Sequence, residues 1–471
     1  MMIILKSDVN TPLYIQIYEQ LKEEIMNGSM PAGSKLPSTR NLAKTLAVGR
    51  NTVENAYLQL TSEGYVESKQ GSGFIIQNVT AVNDLNKKSQ YDLRDEESKV
   101  PEEKITNQQV YNFQYGHLSG EDFPLRLWKK VSNKAITSLT ADDMTRYSYP
   151  KGEYELRNEV KAYLRKSRGV LCDEEQIIIC AGFEYALTLL CQLFRGDLNQ
   201  IALEEPGYFG ARQIFCNNGY EVLPISVEQD GLNLTSLEEC PAKIVYVTPS
   251  HQFPTGAVMP IQKRVRLLEW AQRKECMIIE DDYDSEIRYN SRPIPSINSI
   301  AANGNVIYIG TMSKALSPSL RISYLVLPKK LMEKYAQRFE IYQSPVAVIQ
   351  QRMLTLFMKL GYWESHLRKI CNANKRKYDS LIHGITQYMG DQVIIHGKNA
   401  GLHILLESKQ GLSESDMIEK AKAYGVLVYP VSVFWMNKSN YLDNMVLLGF
   451  GNLSEEEILQ GIKEFSKALR I

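Results

Sequence analysis

The sequence predicts two units of different class: an α+β head built as a winged helix-turn-helix, and a larger α/β body with a smaller C-terminal α+β subdomain. Three observations predict them. Short apolar helical repeats give way to a hairpin pattern before residue 77. A buried-strand pattern, Met277 to Ile279, runs into the carboxylates Glu280, Asp281, Asp282 and Asp284. A lysine, Lys314, stands among hydroxyls in the run GTMSKALSPSLRISY, residues 310–324, seven residues before Arg321.

In the head, apolar residues recur as Leu13, Ile17, Leu21 and Ile25, a helical spacing that Gly28 ends. Ser38 is the N-cap expected of a short helix through Leu46, Ala47 to Gly49 form a turn, and a second helix runs from Arg50 to about Ser62. Two short helices on such a turn make a helix-turn-helix. After Gly64, Tyr65 to Ser68 and Phe74 to Ile76 read as strands flanking Lys69-Gln70-Gly71-Ser72-Gly73, the expected wing.

Between Gln77 and Gln109 the composition turns polar and charged, with too few apolar residues for a core. Residues 78–110 are therefore expected to be a linker, spanning roughly 30 Å as a random chain. Aromatics return at Tyr111 and Phe113, where the body begins. From about Met332 long helical patterning is followed by strands near Ala400 to Leu406 and Met445 to Phe450 and an amphipathic helix from Ser454, the expected C-terminal subdomain. No internal repeat or low-complexity tract interrupts this order.

The residues around Lys314 carry the chemistry. A lysine amine condenses with an aldehyde, and Thr311, Ser313 and the Arg321 guanidinium suit a phosphate dianion. An aldehyde that carries a phosphate points to pyridoxal phosphate. Its ring accepts electrons only while the pyridine nitrogen stays protonated, which calls for a neighbouring carboxylate. Acids at the carboxyl end of a strand face the ligand crevice of an α/β sheet. Asp281 is the candidate, with Tyr283 placed to bond the ring oxygen, although strand alternation alone leaves open which of the four acids points inward. A lone Ser-Lys is usually a solvated surface lysine; the downstream arginine and upstream Asp-Tyr argue otherwise here.

Together these segments resemble the fold type I aminotransferases, and the resemblance runs over roughly residues 111 to 471. The 33-residue spacing from Asp281 to Lys314 in that family selects Asp281 among the acids. The run YSYPKGEYELRNEV, residues 147–160, is similar to the family's tyrosine and glycine segment and implies that Tyr149 reaches the phosphate of a neighbouring subunit. AGFEYAL, residues 181–187, follows an expected strand Gln176 to Cys180 and opens a helix, so the amides around Gly182, Phe183 and Glu184 can cap a phosphate. In EEPGYFG the resemblance implies that Tyr208 stacks on the pyridine ring. TPSHQFPTG, residues 248–256, sits where aminotransferases carry an Asn-Pro-Thr-Gly turn; Phe253 takes the asparagine position, leaving His251 or Gln252 as substitutes. The arginine that clamps a substrate carboxylate in that family has no counterpart in DNMVLLGFGNL, residues 443–453. Arg212, close after Tyr208, is the candidate replacement for an effector.

The head resembles the winged helix of GntR-type regulators over nearly its full length. Carried over by position, Ser38, Thr39 and Arg40, then Arg50, Asn51 and Thr52, and the wing from Lys69 through Gly71 to Gly73 are implied to touch DNA. Gly49 stands where the family usually caps with serine, a change worth a few tenths of a kcal/mol. A winged helix followed by an aminotransferase-like body resembles the MocR/GabR family of transcriptional regulators. That resemblance implies pyridoxal phosphate as cofactor, an amino compound as effector, a homodimer, and double-stranded DNA bound at two spaced half-sites.

Composition is compatible with this. The chain has 471 residues, 54 basic and 54 acidic, and a formal net charge of zero, which excludes a general polyanion binder. The head too is balanced, but Lys35, Arg40, Lys44, Arg50 and Lys69 fall on the helix-turn-helix and wing while Glu19, Glu23 and Glu24 fall on the first helix. A few phosphate contacts per head make a single half-site weak. Seven cysteines without metal-like spacing point to reduced thiols and no metal site. Met1 to Leu5 is too short for a signal peptide, and no apolar stretch approaches the roughly 20 residues of a membrane span. A cytoplasmic bacterial protein, on the nucleoid when bound to DNA, is expected.

Three functions remain open at this point: a regulator whose amino effector acts through the cofactor on Lys314, a sensor of pyridoxal phosphate itself controlling vitamin B6 genes, and an active aminotransferase with a DNA-binding head.

Overall fold

The computed structural model describes residues 3–6, 11–69, 71, 73–79, 110–289, 294–301, 304–398 and 400–469. Its contacts divide the chain into two units, Met1–Thr106 and Asn107–Ile471. The expected linker, 78–110, lies almost wholly outside the described residues.

In the head, helices Leu13–Met26, Thr39–Leu46 and Arg50–Ser62 are followed by strands Val66–Lys69 and Gly73–Ile76. The i, i+4 spacing puts Ile17, Leu21 and Ile25 on one buried face, against Leu42, Val53, Tyr57 and Leu60. The Ser38 hydroxyl accepts from the Asn41 amide at 3.2 Å and starts the second helix. Ala47, at φ 52°, ends it. Gly49 caps the third helix through its extended backbone, with no side-chain bond. The strands pair antiparallel from Val66 opposite Ile76 to Lys69 opposite Gly73, one residue further along than the alternation predicts at Lys69. Gly33, Ser34 and Leu36 bond the outer edge of this hairpin, so the wing is held by three segments. Gln70 and Ser72 of the wing lie outside the described residues.

The body is built on an eight-stranded sheet, in spatial order 177–180, 323–326, 306–311, 277–282, 244–247, 200–205, 221–228 and 231–232. Strand Ser323–Val326 runs antiparallel to both neighbours and the last short strand is a hairpin partner, while the five between them are parallel. Both faces are covered, as parallel strands require. Ile178, Ile279 and Ile309 pack with helix Phe183–Phe194, and alternate residues such as Ile179 and Tyr308 pack with helix Tyr154–Arg168 on the other face. Strand Met277–Asp282 continues three residues beyond the apolar triplet that predicts it. Three of the carboxylates therefore belong to the strand itself.

The C-terminal subdomain carries helices Val348–Lys359 and Tyr362–Tyr388, a sheet in the order 393–396, 403–408, 445–449 and 429–430, and the closing helix Glu455–Leu469. The predicted strand at Ala400 to Leu406 starts instead at His403, because Ala400 bridges to Arg288 and Gly401, at φ 74°, bends the chain with Leu402. Strand Tyr111–Asn112 pairs with Val426–Leu427 and ties the start of the body to this subdomain.

Leu21→Ala removes a fully buried side chain from the head. It is expected to cost about 2–5 kcal/mol there, read as an earlier head transition in urea while the transition of the body stays in place.

Candidate functional site

Strand alternation sorts the acids of 277–282. Glu280 and Asp282 point to one face. Glu280 accepts the amides of Ile297 and Asn298, both at 2.8 Å. Asp282 accepts Arg168 Nε at 2.6 Å and Nη2 at 3.2 Å, a pair buried on both sides. Asp281 points to the other face. Its Oδ2 accepts the Tyr246 hydroxyl, and its Oδ1 is buried with no partner. Burial pushes the Asp281 carboxyl up to about 8. Asp284, beyond the strand, accepts His251 Nδ1 at 2.8 Å.

Asp281 and Lys314 line one cavity of about 150 Å³, with Tyr115, Phe183, Glu184, Tyr208, Thr248, Phe253, Tyr283, Thr311, Ser313, Pro318 and Arg321. Segments far apart in sequence meet there because the carboxyl ends of the parallel strands converge on one edge of the sheet. Lys314 Nζ sits 4.1 Å from the centroid of the Tyr115 ring. Burial lowers this amine to about 8, against the opposing pull of Asp284 and Asp281. Gly116 is close by: a Cβ there would lie 3.6 Å from Nζ.

The other end of the cavity suits an anion. Gly182, at φ 86°, begins helix Phe183–Phe194, and a Cβ on it would come within 2.3 Å of the Arg321 guanidinium. Only glycine allows that approach. Arg321 is half-exposed and paired with the Glu184 carboxylate. The Ser313 amide donates to Thr311 Oγ1 at 3.1 Å, and the two hydroxyls lie 3.0 Å apart.

Of the residues that the sequence proposes for the body, Lys314, Asp281, Tyr283, Arg321, Thr311, Ser313, Phe183, Glu184 and Tyr208 line this cavity, with Gly182 against Arg321. Tyr208 meets Phe183 and Phe253 edge to face, at 5.7 and 5.6 Å between centroids. The Tyr283 hydroxyl donates to the His251 carbonyl at 2.9 Å. Phe253 faces the cavity, whereas His251 and Gln252, the suggested substitutes, are engaged behind it; Gln252 donates to the carbonyls of Pro206 and Phe253 at 2.8 and 2.7 Å. Tyr149 is exposed, under the Arg146 guanidinium, and is not brought to the cavity of its own chain. Arg212 is not brought there either: it donates to the Val433 carbonyl at 2.9 Å and lies over the Phe209 ring. Sequence reasoning missed Tyr246, Arg168, Tyr115 and Thr248. Tyr246, Arg168 and Tyr115 lie outside the quoted motifs, and Thr248, though it opens the 248–256 run, shows its place only through its bonds to Glu204.

On the head, Ser38, Arg40, Arg50, Asn51, Lys69 and Gly71 are exposed and Thr39 and Thr52 half-buried. Arg50 pairs with Glu54 at 2.8 Å, a solvent-facing ion pair worth well under 1 kcal/mol and easily exchanged. Among the described residues no group of three or more His, Cys, Asp or Glu could hold a metal, and no helix is long and apolar enough to cross a membrane. All seven cysteines are free; Cys180 is buried in the core beside the Gly182 turn.

Residues 13–76 match the family model of bacterial regulatory proteins of the gntR family, and residues 108–436 that of aminotransferase class I and II. The chain is 38% identical over 467 residues to the uncharacterized HTH-type transcriptional regulator YdeL of Bacillus subtilis, covering 99% of each. It is 30% identical over 475 residues to the probable rhizopine catabolism regulatory protein MocR of Rhizobium meliloti, covering 99% of this chain and 96% of that one. The chain belongs to the MocR family of transcriptional regulators. This MocR-type protein is thus a DNA-binding transcriptional regulator with an aminotransferase-like body. Its structure is similar to that of the multiple substrate aminotransferase from Thermococcus profundus, with 27% identity and a TM-score of 0.70, over 78% of this chain and 92% of that one.

Arg168→Ala strips Asp282 of its buried counter-charge. It is expected to destabilise the MocR-type body by about 3–5 kcal/mol, measured as a shift of its urea midpoint, with the head transition unchanged.

Proposed function

We propose that the body binds pyridoxal phosphate at Lys314 and that the state of this site, set by an amino compound, controls DNA binding by the head. The observation that carries the reading is the meeting, in one cavity, of a depressed lysine amine, a buried carboxyl oxygen without a partner, and a glycine-lined arginine. The residues fit the group. Asp281 Oδ1 is a ready acceptor for a ring N–H, Tyr208 and Phe253 supply aromatic walls, and Arg321, Thr311, Ser313 and the helix start at Phe183 supply donors for a phosphate. When bound, the cofactor supplies an aldehyde with which primary amines condense reversibly.

The chain's own residues then do the following. Lys314 offers its amine, Asp281 fixes the orientation of the ring and holds a proton at its nitrogen, and Arg321 exchanges the Glu184 carboxylate for a phosphate. Tyr283 offers a hydroxyl beside the ring. Ser38, Thr39, Arg40, Arg50, Asn51, Thr52, Lys69 and Gly71 form the DNA surface of each head, and a homodimer presents two heads to spaced half-sites of double-stranded DNA, with Tyr149 reaching the partner's site. Net neutrality of the chain makes paired heads necessary for useful affinity. The protein works in the cytoplasm. The domain limits proposed are 1–77, 78–110 and 111–471, with the C-terminal subdomain from about 332.

With added pyridoxal phosphate the purified chain should develop a visible absorption band that borohydride removes, leaving a covalent adduct on Lys314 by mass spectrometry. Because the amine sits near 8 rather than 10.5, the rate of adduct formation should climb as pH rises through about 8 and level off above it. A chain that stays colourless, or a band equally strong in Lys314→Ala, would overturn the reading. Sustained conversion of keto acid to amino acid, lost in Lys314→Ala, would favour an aminotransferase; a DNA response to the cofactor alone would favour a cofactor sensor.

A further inference from the structure

Lys314 lines two cavities. The second shares no other residue with the first; it is walled by residues of the segments 118–123 and 314–316 and by one face of helix Tyr362–Tyr388. His366, Ile370, Asn374 and Lys377 recur on that helix at i, i+4, i+8 and i+11 and are all buried, so they share its inward face. The volume of this cavity, about 20 Å³, is enough for one group the size of a water molecule or an ammonium.

The polar atoms that the helix brings here are acceptors. His366 Nε2 lies 2.8 Å from the Ala315 carbonyl, which can only accept, so Nε2 carries the hydrogen and Nδ1 keeps its lone pair. Burial lowers the His366 imidazole below its ordinary value and holds it in that neutral form. His366 Nδ1 and Asn374 Oδ1 are both buried with no partner in the chain, on residues that are 5% and 4% exposed. The Asp122 carboxylate lines the same cavity, fixed by Lys377, which donates to it and to the Gly451 carbonyl, each at 2.9 Å. Buried acceptors call for a donor. Lys314 is the one cation lining this cavity among the described residues.

We propose that the second cavity is the seat of the Lys314 ammonium when an amino compound takes its place on the cofactor. Nζ now lies over the Tyr115 ring, at the first cavity. In the exchange, the bond from the aldehyde carbon to Nζ, a protonated imine, is replaced by one to the incoming nitrogen. Two protons pass from that nitrogen to Nζ, so the lysine leaves as an ammonium. Asn374 Oδ1 and His366 Nδ1 then accept from it, beside the Asp122 carboxylate. Both acceptors belong to a helix of the C-terminal subdomain, whose later residues Leu381 and Ile385 pack with Ile458 and Ile462 of the closing helix. The seat thereby transmits the state of the cofactor site to that subdomain. Its acceptors are buried within one chain, so a second subunit leaves them in place. This deepens the proposed function and rests on pyridoxal phosphate being bound at Lys314.

The test uses the full chain loaded with pyridoxal phosphate and titrated with hydroxylamine, a probe small enough to need no pocket of its own. The concentration that displaces half of the visible band is compared among wild type, Asn374→Leu and Asn374→Asp, and the band before addition shows that each variant holds the cofactor. Leucine removes the acceptor at similar volume and is expected to raise that concentration roughly tenfold or more, because a charged hydrogen bond is lost in the displaced state alone. Aspartate keeps an acceptor, adds a charge, and is expected to lower it several-fold. An unchanged or lower concentration in Asn374→Leu overturns the proposal and leaves the cavity a site for water. An unchanged or higher one in Asn374→Asp overturns it as well, and decides alone where the leucine variant shows no band. Wild-type chain without a visible band fails the cofactor reading instead, which separates the two failures.

Discussion

Burial of the acidic strand 277–282 constrains the whole body. Glu280, Asp281, Asp282 and, just beyond, Asp284 are all nearly inaccessible to water. Carboxylates in that position are tolerated only when each finds donors or a counter-charge. Three do: Glu280 caps a short helix, Asp282 takes Arg168 from the long helix across the sheet, and Asp284 takes His251 from the neighbouring strand's turn. These bonds fix the strand against elements from residues 168, 251 and 297, and so fix the edge of the sheet at which Lys314 arrives. Asp281 and Asp284 each keep a buried oxygen with no partner, and of the two only Asp281 lines the cavity. The unfavourable terms at this residue are concentrated where a ligand with an N–H can relieve them, which is the usual relation between strain and function.

The anion end of the cavity is also shaped by a charge that needs a partner. Gly182 lets the Arg321 guanidinium approach the start of a helix whose amides point outward. Such a place attracts negative charge, and Glu184 from the first turn of that helix supplies it. The pair is half-exposed, so a phosphate dianion with three acceptor oxygens competes well against one screened carboxylate.

Much of this was legible before the fold was known. The helices of the head followed from four apolar residues at helical spacing and a serine cap, because local hydrogen bonding and one buried face decide them. Lys314, Arg321 and Gly182 were legible because their chemistry needs particular residue types at short separations. What could not be read depends on pairing across the sheet. Tyr246 meets Asp281 only because their strands lie side by side, and Arg168 meets Asp282 across 114 residues of sequence. The strand was drawn short at Ile279 since carboxylates ordinarily mark its end, and burial of all four reversed that expectation. Arg212 near Tyr208 looked available for a carboxylate; the backbone carbonyl of Val433, more than 200 residues on, takes it instead.

The proposed function requires that DNA binding by the head and small-molecule binding by the body be linked. Linkage is reciprocal for equilibrium binding. The most direct measurement is therefore a thermodynamic cycle on the full chain, using a DNA fragment that the chain selects from genomic DNA. Affinity for that fragment is measured with and without saturating pyridoxal phosphate and a primary amine that displaces its visible band, and affinity for each small molecule with and without the DNA. The account predicts that at least one of them changes DNA affinity, and that DNA changes its affinity by the same factor. DNA affinity that is identical in all ligand states would contradict it.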